Sequence, residues 1–294
     1  MSRNRKDAKW VKPKDAVQAI MPHLMDKRTD AEVSYQMEFD VTELCKWVDK
    51  INKELKDFKM TYFHSLISVF AMTVFNREHL NRFVKNKRIY QRNKASMAFV
   101  AKNKFEDNAQ EKLISIDLDP NDNAIDLSHK IAIDVWSAKT SENKDFDKTL
   151  NSIASLPTPL LSLVFGFVKI LDKHGWTPDV LTKGDTNYAT VLLTNLGSIH
   201  ANSCYHHLNN YGTNSIVIAV GTIREVKSKK TVDIQFTFDE RIADGFYFAK
   251  SIALAQNIAN NPKLLEDKLS KQIDKIFPAQ DGEKYWQKRG VWYP

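Results

Sequence analysis

The sequence predicts an α/β fold in which helices pack on a mixed β-sheet. Two observations indicate this class. Helical apolar spacing is frequent in the earlier part of the chain, whereas β-rich runs of strand length gather in the last third. Helices first and strands late are typical of two packed layers around one core. A chain of 294 residues can bury roughly 75% of its unfolded surface, so this core needs no disulfide or structural metal.

The front of the chain is predicted to hold a strand followed by helices. Residues 31–40 alternate as a strand does, and Asp40 or Thr42 can cap the next helix. The apolar face of that helix consists of Leu44, Trp47, Val48 and Ile51. Residues 60–84 predict a longer helix that is apolar in its first half, which is typical of a helix buried at one end.

More strands and helices are expected along the middle of the chain. Strands are predicted at 96–101 and 112–118, and helices at 125–141 and 145–154. Pro157 and Pro159 open another strongly apolar helix, which Gly175 can terminate.

The last third of the chain is richer in strands. Its β-rich runs are residues 189–194, 215–223 and 231–238. The first two runs are apolar as expected of strands buried on both faces, while the third alternates. Helices are expected at 244–257 and 262–276.

Most of the net charge of +7 lies at the N-terminus. Residues 1–14 hold six basic side chains and one acidic one, a balance of +5, which leaves +2 for the other 280 residues. Because a folded nucleic-acid binder clusters its basic residues on one face, this distribution disfavours nucleic acid as a partner. We expect a basic, solvated arm at 1–20, one domain at 21–276 and an aromatic tail at 277–294.

Several classes of protein are disfavoured by what the sequence lacks. It has no glycine-rich phosphate-binding motif, which argues against dinucleotide and P-loop enzymes. Cys45 and Cys204 stand alone and the histidines show no metal-ligand spacing, so we expect no metal site and reduced thiols. The longest uncharged stretch, 60–76, is too short for a membrane span, and no secretory signal is recognisable. These features predict a cytoplasmic protein that does not bind membranes.

Two polar segments lie where predicted strands end. Thr194 and Asn195 place a hydroxyl and an amide where the chain turns out of the core. Residues 239–245, D-E-R-I-A-D-G, put three carboxylates and a guanidinium between a strand and an apolar helix. From the residue types alone, the second segment predicts a helix cap at Asp244, an ion pair of Arg241 and a solvated turn.

The order of these motifs resembles a known family. T-N-L-G at 194–197, I-V-I-A-V-G at 216–221 and D-E-R-I-A-D-G at 239–245 are similar to the catalytic core of the dihydrolipoamide acyltransferases of 2-oxoacid dehydrogenase complexes. They are also similar to chloramphenicol acetyltransferases. In these families the last motif reads D-H-R-x-x-D-G or H-H-x-x-x-D-G. The segment MDKRTDAEVSYQMEFDVTEL resembles the opening of the family core, so the resemblance covers about residues 20–276.

The resemblance implies a chloramphenicol-acetyltransferase-like two-layer sandwich with a mixed β-sheet. It implies a homotrimer, or a multiple of trimers, with active sites between subunits. In these active sites a histidine of one chain deprotonates a thiol of CoA or dihydrolipoamide. A Ser or Thr of the neighbouring chain hydrogen-bonds the oxyanion of the tetrahedral intermediate. When these roles are carried over to this sequence, the resemblance implies that Thr194, which is followed by Asn195, is the oxyanion donor. Asp244 is the structural carboxylate, Gly245 is the tight start of the helix, and Arg28 is a candidate partner of Asp244.

The implied substrates are acyl-CoA and an acceptor. The acceptor is a small molecule or a lipoyl group. Only about 30 residues precede the family-like core, so we expect no lipoyl domain in this chain and an acceptor supplied separately.

The centre of the last motif departs from the family, because Glu240 stands where the histidine is expected. An imidazole pKa near 6.5 lies about two units below a thiol pKa near 8.5, whereas a glutamate pKa near 4.3 lies about four units below. At equal geometry, proton transfer to glutamate is slower on the order of a hundredfold. Two functions remain open. One is a CoA-dependent acyltransferase impaired in thiol-acyl transfer, and the other is a catalytically silent trimeric scaffold or regulatory subunit.

Three histidines follow the T-N-L-G motif. His200, His206 and His207 lie in the segment that the resemblance places near the subunit interface. They are either loop or interface histidines without a catalytic role, or one of them replaces the missing base.

Overall fold

The computed structural model describes residues 4–102, 111–140, 152–182 and 184–273. Its main helices are α1 (Ala16–Leu24), α2 (Thr42–Glu54), α3 (Tyr62–Asn76), α4 (Ala124–Thr140), α5 (Thr158–His174) and α6 (Gly245–Asn260). Its strands are β1 (Ala8–Trp10), β2 (Glu32–Asp40), β3 (Arg82–Lys85), β4 (Arg88–Arg92), β5 (Ser96–Lys102), β6 (Glu111–Asp117), β7 (Val191–Asn195), β8 (Ile216–Val226) and β9 (Lys229–Asp239). None of the described helices is long and apolar enough to cross a membrane.

A six-stranded sheet in the order β2-β9-β8-β7-β5-β6 forms the centre of the molecule. Strand β7 runs parallel to both β5 and β8, and the other neighbouring strands are antiparallel. A parallel neighbour needs a long crossover, and the chain between β5 and β7 contains α4 and α5. The predicted mixed sheet is confirmed.

The helices α2, α3 and α6 pack on one face of this sheet. Along β9, the alternating side chains Ile234, Phe236 and Phe238 point into the core that the helices cover. The middle of α3 is buried, and its Phe70 ring contacts the ring of Phe236 at 5.8 Å. The layer of helices on a mixed sheet therefore matches the predicted α/β class.

The other face of the sheet is partly covered by the segment that follows β7. A Cβ atom at Gly197 would lie 2.6 Å from the carbonyl oxygen of Gly221 in β8, so only glycine permits this backbone approach. Farther along, the N–H and the hydroxyl of Thr222 both donate to the carbonyl oxygen of Ala201. These contacts hold the segment against β8.

Residues 4–10 are not a solvated arm, so that prediction is wrong. Strand β1 pairs with β4 in a second sheet of order β1-β4-β3, and Ala8 is fully buried. The Arg5 guanidinium lies over the Phe83 ring and donates a hydrogen bond to the carbonyl oxygen of Asp172 at 2.6 Å. A charge count cannot foresee this, because burial of Arg5 depends on partners far along the chain.

Two predicted helices are shorter in the structure. The helix predicted over 60–84 ends at Asn76, whose amide donates to the carbonyl oxygens of Met72 and Lys271. The chain then forms the β3–β4 hairpin, with positive φ at both turn residues, Asn86 and Lys87. The helix predicted over 262–276 is only a 3-10 turn, Pro262–Glu266. The tail at 277–294 and most of the helix predicted over 145–154 lie outside the described residues.

Candidate functional site

The D-E-R-I-A-D-G motif forms the turn between β9 and α6. Asp244 is the N-cap of α6, and its carboxylate accepts a hydrogen bond from the N–H of Tyr247 at 2.8 Å. This bond satisfies one of the free N–H groups at the helix start, and the predicted cap is confirmed. A Cβ atom at Gly245 would lie 2.9 Å from the hydroxyl of Tyr35, so a larger residue would displace that hydroxyl.

Asp239 provides a buried anchor for this turn. Its side chain is fully buried, and Arg241 binds both carboxylate oxygens at 2.7 Å, which confirms the predicted ion pair of Arg241. The Nε atom of Arg28 lies 3.6 Å from Oδ2 of the same carboxylate. The prediction that Arg28 pairs with Asp244 is therefore wrong. The physical reason is that a buried carboxylate requires cationic partners, whereas Asp244 is exposed and capped by a backbone N–H.

Arg28 also connects the turn to a distant loop. Its guanidinium donates to the carbonyl oxygens of Asn209 at 2.6 Å and Gly212 at 3.2 Å, and its backbone N–H donates to Oδ1 of Asn210 at 2.7 Å. Burial lowers the pKa of the Arg28 guanidinium, and the Asp239 carboxylate opposes that change. The two arginines thus join the turn, the chain before β2 and the loop before β8.

Glu240 lies half-buried in the turn after β9. Its N–H donates to the carbonyl oxygen of Ala31 at 2.9 Å, so the chain before β2 holds its backbone. Among the described residues, none forms a hydrogen bond or an ion pair with the Glu240 carboxylate. No cation among these residues neutralises it.

Thr194 and Asn195 lie at the far end of the sheet from Glu240. Thr194 is half-buried and pairs with Ala219 of β8, which in turn pairs with Gln235 of β9. Glu240 follows Gln235 by five residues. At ~3.3 Å per residue and ~4.8 Å per strand, this register places Thr194 and Glu240 about 20 Å apart in one chain. The structure therefore does not bring these two predicted catalytic residues together within a single subunit.

His200 stays near Thr194. It is exposed and ends the 3-10 turn Leu196–Ile199 with a φ of 57°, and its N–H donates to the carbonyl oxygen of Gly197. This histidine is consequently remote from the motif turn of the same chain.

His206 and His207 precede a residue that is held at the other end of the sheet. The next residue, Leu208, donates its N–H to Oε1 of Glu32 at 2.5 Å. Glu32 is opposite Asp239 in the β2–β9 ladder. Leu208, the residue after His207, is therefore held at the end of the sheet where the motif turn lies.

Sequence reasoning missed two parts of this arrangement, Glu32 and the loop of residues 209–212. The Asn-Asn-Tyr-Gly composition indicates a turn, and Gly212 has a φ of 75°. Its contact with Arg28 joins residues more than 180 positions apart, which no local signal reveals. Among the described residues, no group of three His, Cys, Asp or Glu side chains is arranged to hold a metal ion.

Three solved structures are similar to this chain over most of its length. A chloramphenicol acetyltransferase has a TM-score of 0.56 at 8% identity, covering 86% of this chain and 99% of that chain. A truncated catalytic core of the 2-oxoacid dehydrogenase multienzyme complex from Thermoplasma acidophilum has a TM-score of 0.55 at 14% identity, covering 86% and 98%. A probable dihydrolipoamide acetyltransferase from Listeria monocytogenes has a TM-score of 0.52 at 14% identity, covering 85% and 94%.

The chain has the chloramphenicol acetyltransferase-like fold. The predicted fold class is thereby confirmed. No protein-family model matches the sequence, and no curated protein matches it. At these identities the likeness establishes the fold alone, because one fold serves many functions.

Proposed function

We propose that this protein is an acyltransferase that takes its acyl group from coenzyme A and works as a homotrimer. The observation that carries this proposal is the separation of Thr194 from Glu240 in a chloramphenicol acetyltransferase-like fold. Two groups about 20 Å apart cannot both contact one acyl carbonyl. The site is complete only when Thr194 of one subunit meets the motif turn of its neighbour.

Each segment of the site has a part in the proposed transfer. The Thr194 hydroxyl donates a hydrogen bond to the acyl carbonyl oxygen as negative charge develops there, and Asn195 ends the strand that holds it. Asp244 and Gly245 set the start of α6. Glu240 lines the site where the acceptor enters. The acceptor is a small molecule or a lipoyl group carried by another chain.

An exposed apolar stripe on α5 supports self-association. The exposed side chains are Leu160 at 45%, Leu163 at 70%, Phe167 at 60% and Ile170 at 58%. Their spacing of three, four and three residues aligns them along one side of the helix. Apolar surface of this kind is typical of a contact between proteins, and every copy of this chain carries the same stripe. We assign the stripe to contacts between subunits.

Transfer of an acetyl group from acetyl-CoA to dihydrolipoamide tests the proposed function. The wild-type protein should release CoA only when the acceptor is present. Thr194→Ala should lower kcat/KM by about 100- to 1,000-fold, because one oxyanion donor contributes about that much. Thr182→Ala removes a hydroxyl outside the motifs and serves as the matched control, with an unchanged rate.

Two other outcomes are informative. If acetyl-CoA does not bind at millimolar concentration, the proposed function is wrong. If a trimer forms and binds acetyl-CoA but transfers nothing, the alternative of a silent scaffold or regulatory subunit is favoured.

A further inference from the structure

His206 has one ring nitrogen committed to the backbone. Its Nδ1 lies 2.9 Å from the carbonyl oxygen of His207. A carbonyl oxygen can only accept a hydrogen bond, so Nδ1 of the neutral ring carries the proton and Nε2 keeps the lone pair. Among the described residues, none hydrogen-bonds Nε2 of His206. This is the tautomer in which Nε2 can accept a proton from a substrate.

Leu208 anchors the histidine segment beside the motif turn. Its N–H donates to Oε1 of Glu32, and Glu32 is the ladder partner of Asp239. Residues that are directly opposite in a ladder point to the same face of the sheet, so Glu32 presents its carboxylate on the face where Asp239 is buried. His206 is two residues from this anchor.

Arg28 supplies a second, independent anchor. It donates to the carbonyl oxygen of Asn209 at 2.6 Å while its Nε lies 3.6 Å from Asp239. Both anchors of the segment therefore converge on Asp239, the residue before Glu240. Since Arg28 and Asp239 are buried, the position of the segment relative to the motif turn is fixed by the core rather than by surface contacts.

His206 is better placed for catalysis than the other two histidines. His206 is half-buried as a residue, whereas His207 is exposed, although Nδ1 of His207 makes a similar contact, 3.0 Å from the carbonyl oxygen of Leu208. His200 is exposed as well and lies near Thr194 of its own chain. A half-buried residue whose ring bonds to the backbone is restricted in orientation, which proton transfer in a fixed geometry requires.

We propose that His206 is the general base of acyl transfer, an inference that rests on the proposed function. Its Nε2 takes the proton of the acceptor thiol or hydroxyl as the acceptor sulfur or oxygen bonds to the carbonyl carbon of acyl-CoA. The tetrahedral intermediate then breaks its bond to the CoA sulfur, and the imidazolium returns the proton to the CoA thiolate. The products are the acylated acceptor and CoA, with no change of oxidation state.

The surroundings of the segment suit this role. The charged groups at the anchors of the segment are Glu32 and Asp239, with the guanidinium groups of Arg28 and Arg241 on Asp239, and Glu240 is the next residue in the turn. The His207 ring centroid lies 5.6 Å from that of His206. An imidazole base does not require Glu240 to accept the proton. The unfavourable match between a glutamate and a thiol, on the order of a hundredfold, then no longer limits the reaction.

The test is the pH dependence of kcat/KM for transfer from acetyl-CoA to dihydrolipoamide, with the full chain. The wild-type rate should fall on the acid side of its profile, because a protonated imidazole cannot act as a base. His206→Asn keeps an amide that can donate to the carbonyl of residue 207. This substitution should lower kcat/KM by about 100- to 10,000-fold and abolish the fall of the rate at low pH, the acid limb of the profile. Imidazole buffer should partly restore the rate. His23→Asn, at an exposed position of α1, is the matched control and should leave the profile unchanged.

The outcomes separate the inference from the proposed function. An active protein in which His206→Asn keeps the acid limb overturns the assignment of the base. So does an active protein in which His207→Asn or Glu240→Gln alone removes that limb. A wild-type protein that binds acetyl-CoA but transfers nothing overturns the proposed function and the base together. Loss of the limb with His206→Asn, and recovery with imidazole, supports both.

Discussion

At the scale of single residues, Asp239 holds together parts of the chain that are distant in sequence. Its buried carboxylate contacts Arg241 within the same turn and Arg28 before β2. Removing charges from water is costly unless they are paired and hydrogen-bonded, and here the guanidinium groups also donate to backbone carbonyls. Since these carbonyls belong to other segments, one ion-pair cluster determines where the motif turn lies.

Asp239→Ala should therefore be strongly destabilising. It leaves Arg28 and Arg241 buried without their carboxylate, and we expect the free energy of unfolding to fall by about 3–5 kcal/mol. Denaturation in urea measures this loss. Asp244→Ala is the comparison, because it removes only an exposed helix cap and should cost about 1 kcal/mol. Equal losses for the two variants would contradict the assigned roles.

At the scale of elements, α5 is anchored at its C-terminal end and exposed along one side. Asp172 in its last turn is buried and contacts Arg5 and Lys85, and Gly175 ends the helix with a φ of 74°. Phe165 packs edge-on against Tyr211 at 6.0 Å. A helix that is apolar on both sides is typical of burial in a larger structure. The exposed side of α5 is therefore the surface that the proposed homotrimer would bury.

Leu163→Lys combined with Phe167→Lys should dissociate the assembly without unfolding the chain. Both side chains are mostly exposed in a single chain, so the stability of the subunit should change by no more than about 0.5 kcal/mol. Sedimentation velocity measures the mass of the assembly. Ser162→Lys, which adds a charge at a neighbouring exposed position, is the control and should leave the assembly intact. An unchanged mass for the double variant would show that the stripe lies outside the subunit contact.

At the scale of the whole molecule, the sheet carries the two halves of the proposed site at opposite ends. Thr194 lies near the C-terminal end of β7. The motif turn follows the C-terminal end of β9, which runs in the opposite direction to β7. Closed rotational symmetry lets each end meet the other end of a neighbouring copy. Such a ring contains as many complete sites as subunits.

Mixed trimers offer a direct test of this sharing. Chains with Thr194→Ala and chains with His206→Asn should each be nearly inactive alone. If every site takes Thr194 from one chain and His206 from the next, an equal random mixture should regain about a quarter of the wild-type activity, because that fraction of sites pairs two intact residues. Assaying the co-expressed proteins checks this. Two inactive variants that remain inactive together would place both residues in the same subunit's site.

Local patterns predicted the elements well where neighbouring residues decide the structure. The N-cap at Asp244, the ion pair of Arg241 and the alternation of β9 were all readable from short segments. The helix predicted through residue 84 was wrong beyond Asn76, because tertiary hydrogen bonds of Asn76 end it there.

The sequence by itself determined the α/β class, the mixed sheet and the motif turn, since periodicity and capping act over a few residues. Only the tertiary structure decided that Arg28 pairs with Asp239, that the Arg5 side chain is buried and that Leu208 binds Glu32, the ladder partner of Asp239. The physical reason is that each of these contacts joins residues far apart along the chain. Their charges and hydrogen-bonding groups find partners only once the sheet has brought its strands together.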